Sequence, residues 1–174
     1  MVFTSIQIFG IIKFRGEIFM RYSGKKHFED FFKYLSENGM DNKYKIVGDT
    51  DFDSFIKDIA PIKLPKAYLE FMKYTGYGQF WIGSDYSIDK VKSLNGYAKE
   101  LLEENDFPHS LGENDFVFWL HQGYMFYFFK LDEGEDPAVY YYSECENQTD
   151  FVKCYDSFTD FIIDPYVTGI PNPL

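Results

Sequence analysis

Two aromatic runs on either side of a short turn constrain the fold of this chain more than any other feature. Asp115 to Leu120 and Tyr124 to Leu131 flank His121-Gln122-Gly123. Apolar runs that flank a tight, glycine-containing turn are typical of a β-hairpin. Side chains alternate between the two faces of a strand, and in the second run rings occupy both sets of positions. Either both faces of the sheet are covered, or one face is an exposed binding surface, and the sequence leaves both alternatives open.

Apolar residues at helical spacing predict further helices around this hairpin. The predicted helices are 26–38, 51–59, a helix that begins at Pro65, 93–105, and a last helix capped by Ser157. Additional strands are predicted at 79–83, 138–142 and 151–155. No internal repeat or linker interrupts the pattern. We therefore expect a single α+β domain, with an antiparallel β-meander sheet packed by N-terminal helices, a central helix and a C-terminal helix.

Several details of these helices follow from local chemistry. Thr50 is predicted to cap the 51–59 helix, because its hydroxyl can accept from a free N–H group, and Pro61 to end it. Tyr97 is expected on the apolar side of the 93–105 helix, together with Leu94. Asp164-Pro165 is expected to end the last helix.

The segment from Leu64 to Gly78 predicts a short helix followed by a glycine stop. Pro65 suits the first helical position, where its missing N–H would have no partner in any case. Gly76 is expected to adopt the left-handed conformation that ends a helix. The residues that define this structural motif are Leu64, Pro65, Tyr68, Phe71, Gly76 and Gly78.

Composition limits the classes of partner. The 174 residues are 45% hydrophobic and 21% aromatic, which indicates a folded domain with a core made largely of rings. A formal net charge of −11 opposes direct binding to nucleic acid, which requires cations along the phosphate backbone. A basic protein is the natural counterpart of such a surface. Cys145 and Cys154 form no disulfide scaffold or metal motif, so we expect a reduced, cytoplasmic protein without cofactor or metal.

We expect residues 20–174 to form the domain, and residues 1–19 to be either an upstream extension or an extra strand. The apolar run from Ile6 to Ile12 is too short to span a bilayer, and its positive charges follow it, unlike those of a signal peptide. Arg15-Gly16-Glu17 can be encoded by a purine-rich string that resembles a ribosome-binding site upstream of Met20. Translation from Met20 and an extra amino-terminal strand remain as alternatives, and intact mass would distinguish them.

The order of these parts resembles the SUKH superfamily, which includes bacterial immunity proteins and fungal regulators of cell-wall synthesis. The similarity covers roughly residues 51–164. It rests on a Leu-Pro-x-x-Tyr-x-x-Phe helix, a glycine-rich stop, an aromatic hairpin, a Pro-x-Val-Tyr-Tyr strand from Pro137 to Tyr141, and a closing helix with Phe158 and Phe161. Many members have Asn-Gly-Gly where this chain has Thr75-Gly76-Tyr77-Gly78. The resemblance implies a noncatalytic module that neutralises a toxin, often a nuclease, by binding it.

Acidic residues are grouped in four segments of the sequence. These are Glu103, Glu104 and Asp106; Glu113 and Asp115; Asp132, Glu133, Glu135 and Asp136; and Glu144, Glu146 and Asp150. An acidic surface steers a basic partner and accelerates association. The 132–136 turn is the first candidate for the interface, followed by Glu144 and Glu146. The two turns lie at opposite ends of one strand, so a single compact patch cannot contain both.

The aromatic candidates for partner binding are Trp81, Trp119 and Tyr124. Large rings are frequent anchors of protein interfaces, although they are also common in cores. No phosphate-binding glycine loop, zinc motif or activated nucleophile is evident in the sequence, so we do not expect an enzyme. Two functions follow: an immunity-type module that binds a basic toxin, or a regulatory scaffold or peptide- or carbohydrate-binding domain that uses an aromatic sheet face.

Overall fold

The computed structural model describes residues 28–39, 47–77, 80–81 and 83–168. Among these residues the helices are α1 (Glu29–Glu37), α2 (Asp49–Ile59), α3 (Lys66–Thr75), α4 (Val91–Glu104) and α5 (Phe158–Thr168). The strands are β1 (Ser84–Asp85), β2 (Asp115–His121), β3 (Met125–Lys130), β4 (Val139–Ser143) and β5 (Val152–Tyr155). The α+β domain with its antiparallel meander is therefore confirmed. Residues 1–19 and Gly78 lie outside the described residues.

The described strands form one five-stranded sheet in the order β1-β2-β3-β4-β5, and all neighbours are antiparallel. The predicted hairpin is its centre. Gln122 and Gly123 have φ angles of 46° and 83°, and the Tyr124 N–H donates to the His121 carbonyl at 3.1 Å. Two consecutive positive φ angles are the requirement of the type I′ turn, whose twist matches that of the flanking strands.

A register shift between Val117 and Trp119 places two consecutive residues of β2 on the same face. Phe118 packs on Phe158 of α5 at 5.1 Å between ring centroids. Trp119 contacts Tyr127, which itself packs on Phe161 of α5. Strict alternation would have sent one of these rings to the other face. The irregularity therefore concentrates aromatic volume beneath the helices.

Both faces of the β2–β3 hairpin are covered. Helices α1, α3 and α5 meet on one face, where Phe158 contacts Phe28, Tyr68 and Phe71 at 5.6–6.1 Å. On the other face α4 packs on β2, and Phe107, which follows α4, contacts Tyr142 of β4 at 4.8 Å. All residues of β3 except Lys130 are buried. The alternative in which one face of this aromatic run is exposed is therefore wrong.

The side chain of Asn95 joins α4 to β2. Its amide nitrogen donates to the Asp115 carbonyl at 2.7 Å, and its amide oxygen accepts from the Val117 N–H at 2.8 Å. Leu94 and Leu101 of the same helix are buried. These contacts fix which side of α4 faces the sheet and which side faces outward.

The segment from Leu64 to Gly76 forms the predicted helix but ends in a different way. Tyr68 and Phe71 are fully buried, and Pro65 stands immediately before the first residue of α3. Gly76 has a right-handed φ of −57°, so the left-handed stop is wrong. Glycine is required at position 76 because a larger residue would not fit. An added Cβ would lie 2.7 Å from the Met72 carbonyl oxygen and 2.8 Å from methyl groups of Ile88 and Val47.

Other predicted ends also shift. α2 begins at Asp49 with Gly48 before it, so Thr50 lies inside the helix and does not cap it. The predicted 79–83 strand is replaced by a bend at Phe80 and Trp81, and pairing begins at Ser84, opposite His121. Gln79 and Ile82 lie outside the described residues.

The last helix begins as predicted and ends later. The Ser157 hydroxyl accepts from the Asp160 N–H at 3.0 Å, which confirms the cap. α5 continues beyond Pro165 to Thr168, so the predicted stop is wrong. An interior proline costs a helix about 3 kcal/mol. Burial of Phe158, Phe161 and Ile162 offsets this cost.

Candidate binding surfaces

The four acidic segments of the sequence gather into patches at the two ends of the sheet. At one end, the Leu131 N–H donates to the Asn114 carbonyl at 2.8 Å, and the Asn114 amide donates to Asp132 at 3.2 Å. These bonds place the 113–115 segment beside the β3–β4 turn. We call the resulting group the turn patch; it comprises Glu113, Asp115, Asp132, Glu133 and Glu135.

Much of the β3–β4 turn is engaged in contacts within the protein. Glu133 accepts from the Tyr140 hydroxyl at 2.9 Å. The Glu135 carbonyl accepts from the Ala67 N–H at the start of α3 at 2.9 Å. Asp136 is half-buried and accepts from the Thr159 N–H at 2.9 Å, at the positive end of the α5 dipole. Asp136 therefore has a structural role at the start of α5, whereas Glu135 directs an exposed side chain to solvent.

A second patch lies at the end of the sheet that carries the β2–β3 turn. The Asn105 amide donates to Glu144 at 3.4 Å, the Glu144 N–H donates to the Tyr124 carbonyl, and His109 approaches Asp150 at 3.8 Å. The end of α4 is thereby brought beside the β4–β5 turn. We call this group the hairpin patch; it comprises Glu103, Glu104, Asp106, Glu144 and Asp150.

Glu146 belongs to the same turn but is held on the other side of the sheet. It accepts from the Tyr141 hydroxyl at 2.8 Å, and the Tyr141 ring packs on Tyr127. Burial and the bond to the glutamate raise the pKa of Tyr141 to about 12. Burial and Glu133 likewise raise the pKa of Tyr140 to about 12. Each tyrosine thus remains a hydrogen-bond donor that orders one acidic turn.

The aromatic residues predicted to bind a partner are buried or half-buried in the structure. Trp119 is only 2% exposed and cannot reach a partner. Trp81 is half-buried between Phe71 and Tyr86 at 5.1 and 5.0 Å. Tyr124 is half-buried against the His121 ring at 5.4 Å. The partner-binding role of Trp81 and Tyr124 remains a prediction.

Tyr97 is the aromatic residue that the sequence pattern misplaced. It is 51% exposed, although it was expected on the apolar side of α4. It lies three residues after Leu94 and four before Leu101, but at the edge of the stripe that these residues form. The Asn95 contacts with β2 orient α4 so that Tyr97 faces outward. The adjacent glycine at position 96 was the available sequence signal for an exposed position.

Tyr97 borders a cleft between α4, β1 and the β2–β3 turn. The cleft has a volume of about 340 Å³ and is lined in part by Asp85, Tyr97, Glu100, Glu104, Gln122 and Gly123. Among the described residues that line it, none is basic. A larger cleft of about 640 Å³ lies between the end of α4 and the segment that follows it, and Lys99, Glu103 and His109 are among its lining residues.

Neither cleft gathers the groups of a metal centre. Across the described ranges, no set of three or more His, Cys, Asp and Glu residues is placed to hold a metal ion. Burial raises the pKa of Cys154 to about 12, and its thiol donates to the Val139 carbonyl.

In the part of the chain that the structure describes, no helix is both long enough and apolar enough to cross a membrane.

These features define a small α+β domain whose β2–β3 hairpin is enclosed on both faces and whose two acidic patches lie at the two ends of the sheet. The SUKH_6 family model, described as SMI1-KNR4 cell-wall, matches residues 54–162. The chain belongs to this family, in agreement with the order of motifs in the sequence. No curated protein and no solved structure matches the chain.

Proposed function

We propose that this protein is a non-enzymatic binding module that neutralises a basic protein toxin, such as a nuclease, by direct contact. The observation that supports the proposal is the gathering of four separate acidic segments into two exposed patches. A nuclease carries positive charge around its substrate groove, so an acidic surface can occupy that groove in place of phosphates. Family membership supports a protein-binding role of this kind.

Charge and packing have separate tasks in such a complex. Complementary charge accelerates encounter and rejects acidic partners, whereas tight binding requires desolvated anchors, frequently aromatic. The carboxylates of both patches supply the first property. Tyr97, and the exposed portions of Trp81 and Tyr124, supply aromatic surface for the second.

A regulatory scaffold is the second candidate, and the description of the matching family as cell-wall related favours it. The version of this alternative that uses the aromatic hairpin as an exposed face is not supported, because both faces of β2 and β3 are covered. A scaffold would have to use the sheet ends or the outer surfaces of the helices.

Co-expression with a toxin encoded beside this gene tests the proposal. The wild-type protein should restore growth, and it should bind a catalytically inactive form of the toxin with an affinity that falls as salt rises. A matched immunity protein from an unrelated toxin pair is the control for specificity. Persistent toxicity with both proteins folded and abundant, together with no complex in calorimetry, would overturn the proposal for that pair.

A further inference from the structure

Helix α4 has an outward face that no described element covers. Ser93, Tyr97, Glu100 and Glu104 follow one another at helical spacing and are all exposed, and Gly96 lies beside Tyr97. The opposite side carries the buried Leu94 and Leu101 that pack on the sheet. The outward face, together with the 340 Å³ cleft beside Asp85, is called the α4 face below.

Gly96 and the carboxylates in the last turn of α4 do not stabilise it as a helix. Glycine is the least favourable ordinary residue in a helix interior after proline, and an added Cβ at Gly96 would meet nothing within 4 Å. Packing within the described chain therefore does not require Gly96. The last turn of α4 contains no basic residue but holds Glu103 and Glu104, where the helix dipole disfavours negative charge.

We propose that the α4 face is the docking surface for a basic segment of the protein partner. This inference rests on the proposed function and adds the surface through which it acts. The cleft is lined by Asp85, Glu100 and Glu104 with no basic residue among the described lining, so Lys or Arg side chains of a partner would find unopposed carboxylates. The same charge pattern would repel an acidic or phosphorylated segment.

Tyr97 and Gly96 add a specific geometry to this attraction. An exposed tyrosine ring can pack against the aliphatic stem of Lys or Arg, or lie under the cation itself. The absence of a side chain at Gly96 lets a partner backbone approach the helix closely. The α4 face therefore offers a ring, a gap and a row of carboxylates within two helical turns.

The test uses the full-length protein and the capped peptide Arg-Leu-Arg-Leu-Arg, titrated at low ionic strength and followed by amide NMR. Shifts should concentrate at Tyr97, Glu100 and Gly123. The double charge reversal Glu100→Lys/Glu104→Lys should weaken binding by about tenfold or more, since close charge pairs contribute strongly to an interface. The matched control is Glu37→Lys/Asp53→Lys, which makes the same change in net charge at exposed positions of α1 and α2, outside both acidic patches.

The control pair separates a specific surface from overall attraction. An affinity that falls only with the α4 pair supports the proposal. Equal losses with both pairs would show that net charge alone binds the peptide, and the α4 face would be rejected. Absence of binding to the wild-type protein would also reject the α4 face, while growth rescue in the toxin experiment would still uphold the proposed function.

Two further variants test the ring and the gap. Tyr97→Ala should weaken peptide binding, whereas Tyr77→Ala, which removes a ring that is 41% exposed at the end of α3, should leave it unchanged. Gly96→Ala should lower affinity while raising the unfolding midpoint. Circular dichroism would verify that both variants are folded. Unchanged affinity in both Tyr97→Ala and Gly96→Ala would overturn the docking geometry.

Discussion

Helices α3 and α4 pack on opposite faces of the same sheet, but they differ in how much of each helix is buried and in how far packing explains its residues. α3 buries Ala67, Tyr68, Phe71, Met72 and Thr75. Lys73 is the one exposed residue of this helix. α4 instead leaves more than half of its length exposed, carries Gly96 in its interior, and places Glu103 and Glu104 in its last turn, where the helix dipole disfavours negative charge. Packing explains the residues of α3, whereas folding alone does not explain the outward residues of α4.

Gly76→Ala should produce the largest change in this comparison. The new methyl group would fall 2.7 Å from the Met72 carbonyl oxygen and 2.8 Å from two neighbouring side chains. Overpacking of this kind destabilises by about 1–3 kcal/mol. Urea unfolding would measure the loss, and an unchanged free energy of unfolding would show that α3 and Val47 can separate without cost.

Tyr68→Phe tests whether the hydroxyl of α3's central ring matters. The Tyr68 oxygen is buried and has no hydrogen-bond partner among the described residues. Removing an unsatisfied buried polar group should raise the free energy of unfolding by about 1 kcal/mol. Tyr68→Leu is the control for loss of the ring and should destabilise. A destabilised Tyr68→Phe variant would show that the hydroxyl is satisfied in solution.

Gly96→Ala should act in the opposite direction to Gly76→Ala. Its added methyl group meets only open space, and alanine is favoured over glycine in a helix by about 0.5–1 kcal/mol. Thermal and urea unfolding should therefore both show stabilisation. Ser93→Ala, one turn earlier on the same exposed face, is the matched control with a smaller expected gain. A loss of stability at Gly96→Ala would remove the contrast between the two glycines.

The smallest expected effect concerns alkaline pH and the tethered acidic turns. The pKa of Tyr140 is raised to about 12, so its neutral form is favoured in the folded state. This stabilisation is fully present below about pH 10, the ordinary tyrosine pKa, and is lost as pH rises toward 12. Tyr140→Phe should flatten that part of the stability profile, measured by urea unfolding at several pH values. Tyr97→Phe, on the open α4 face, is the comparison variant.

Local patterns were sufficient for most of the fold. The hairpin, the Ser157 cap and the buried side of α4 follow from alternation, helical spacing and capping chemistry over a few residues. The end of α3 was not predictable in the same way, because Gly76 is required by contacts with Val47 and Ile88. Nothing near Gly76 in the sequence indicates which residues approach it.

The candidate surfaces depended even more on distant contacts. The sequence listed the acidic segments separately, and Asn114 and Asn105 unite them through bonds to Asp132 and Glu144. Trp119 was predicted at a surface because large rings are frequent interface anchors, but the register shift in β2 places it on the face that the helices cover. The exposure of Tyr97 reflects how Asn95 orients α4, which depends on β2.

The β3–β4 turn also affects the order in which the chain can fold during synthesis. The Ala67 and Thr159 N–H groups, at the starts of α3 and α5, both bond to residues of this turn. α3 is synthesised well before Glu135, so its first turn lacks this partner until the hairpin has emerged. Until then the ring of Tyr68 lacks its contacts with Phe116, Phe118 and Phe129 of the sheet. A ribosome paused within β2 would therefore present an aromatic helix that chaperones can bind, and synonymous codon changes there should alter the yield of soluble protein.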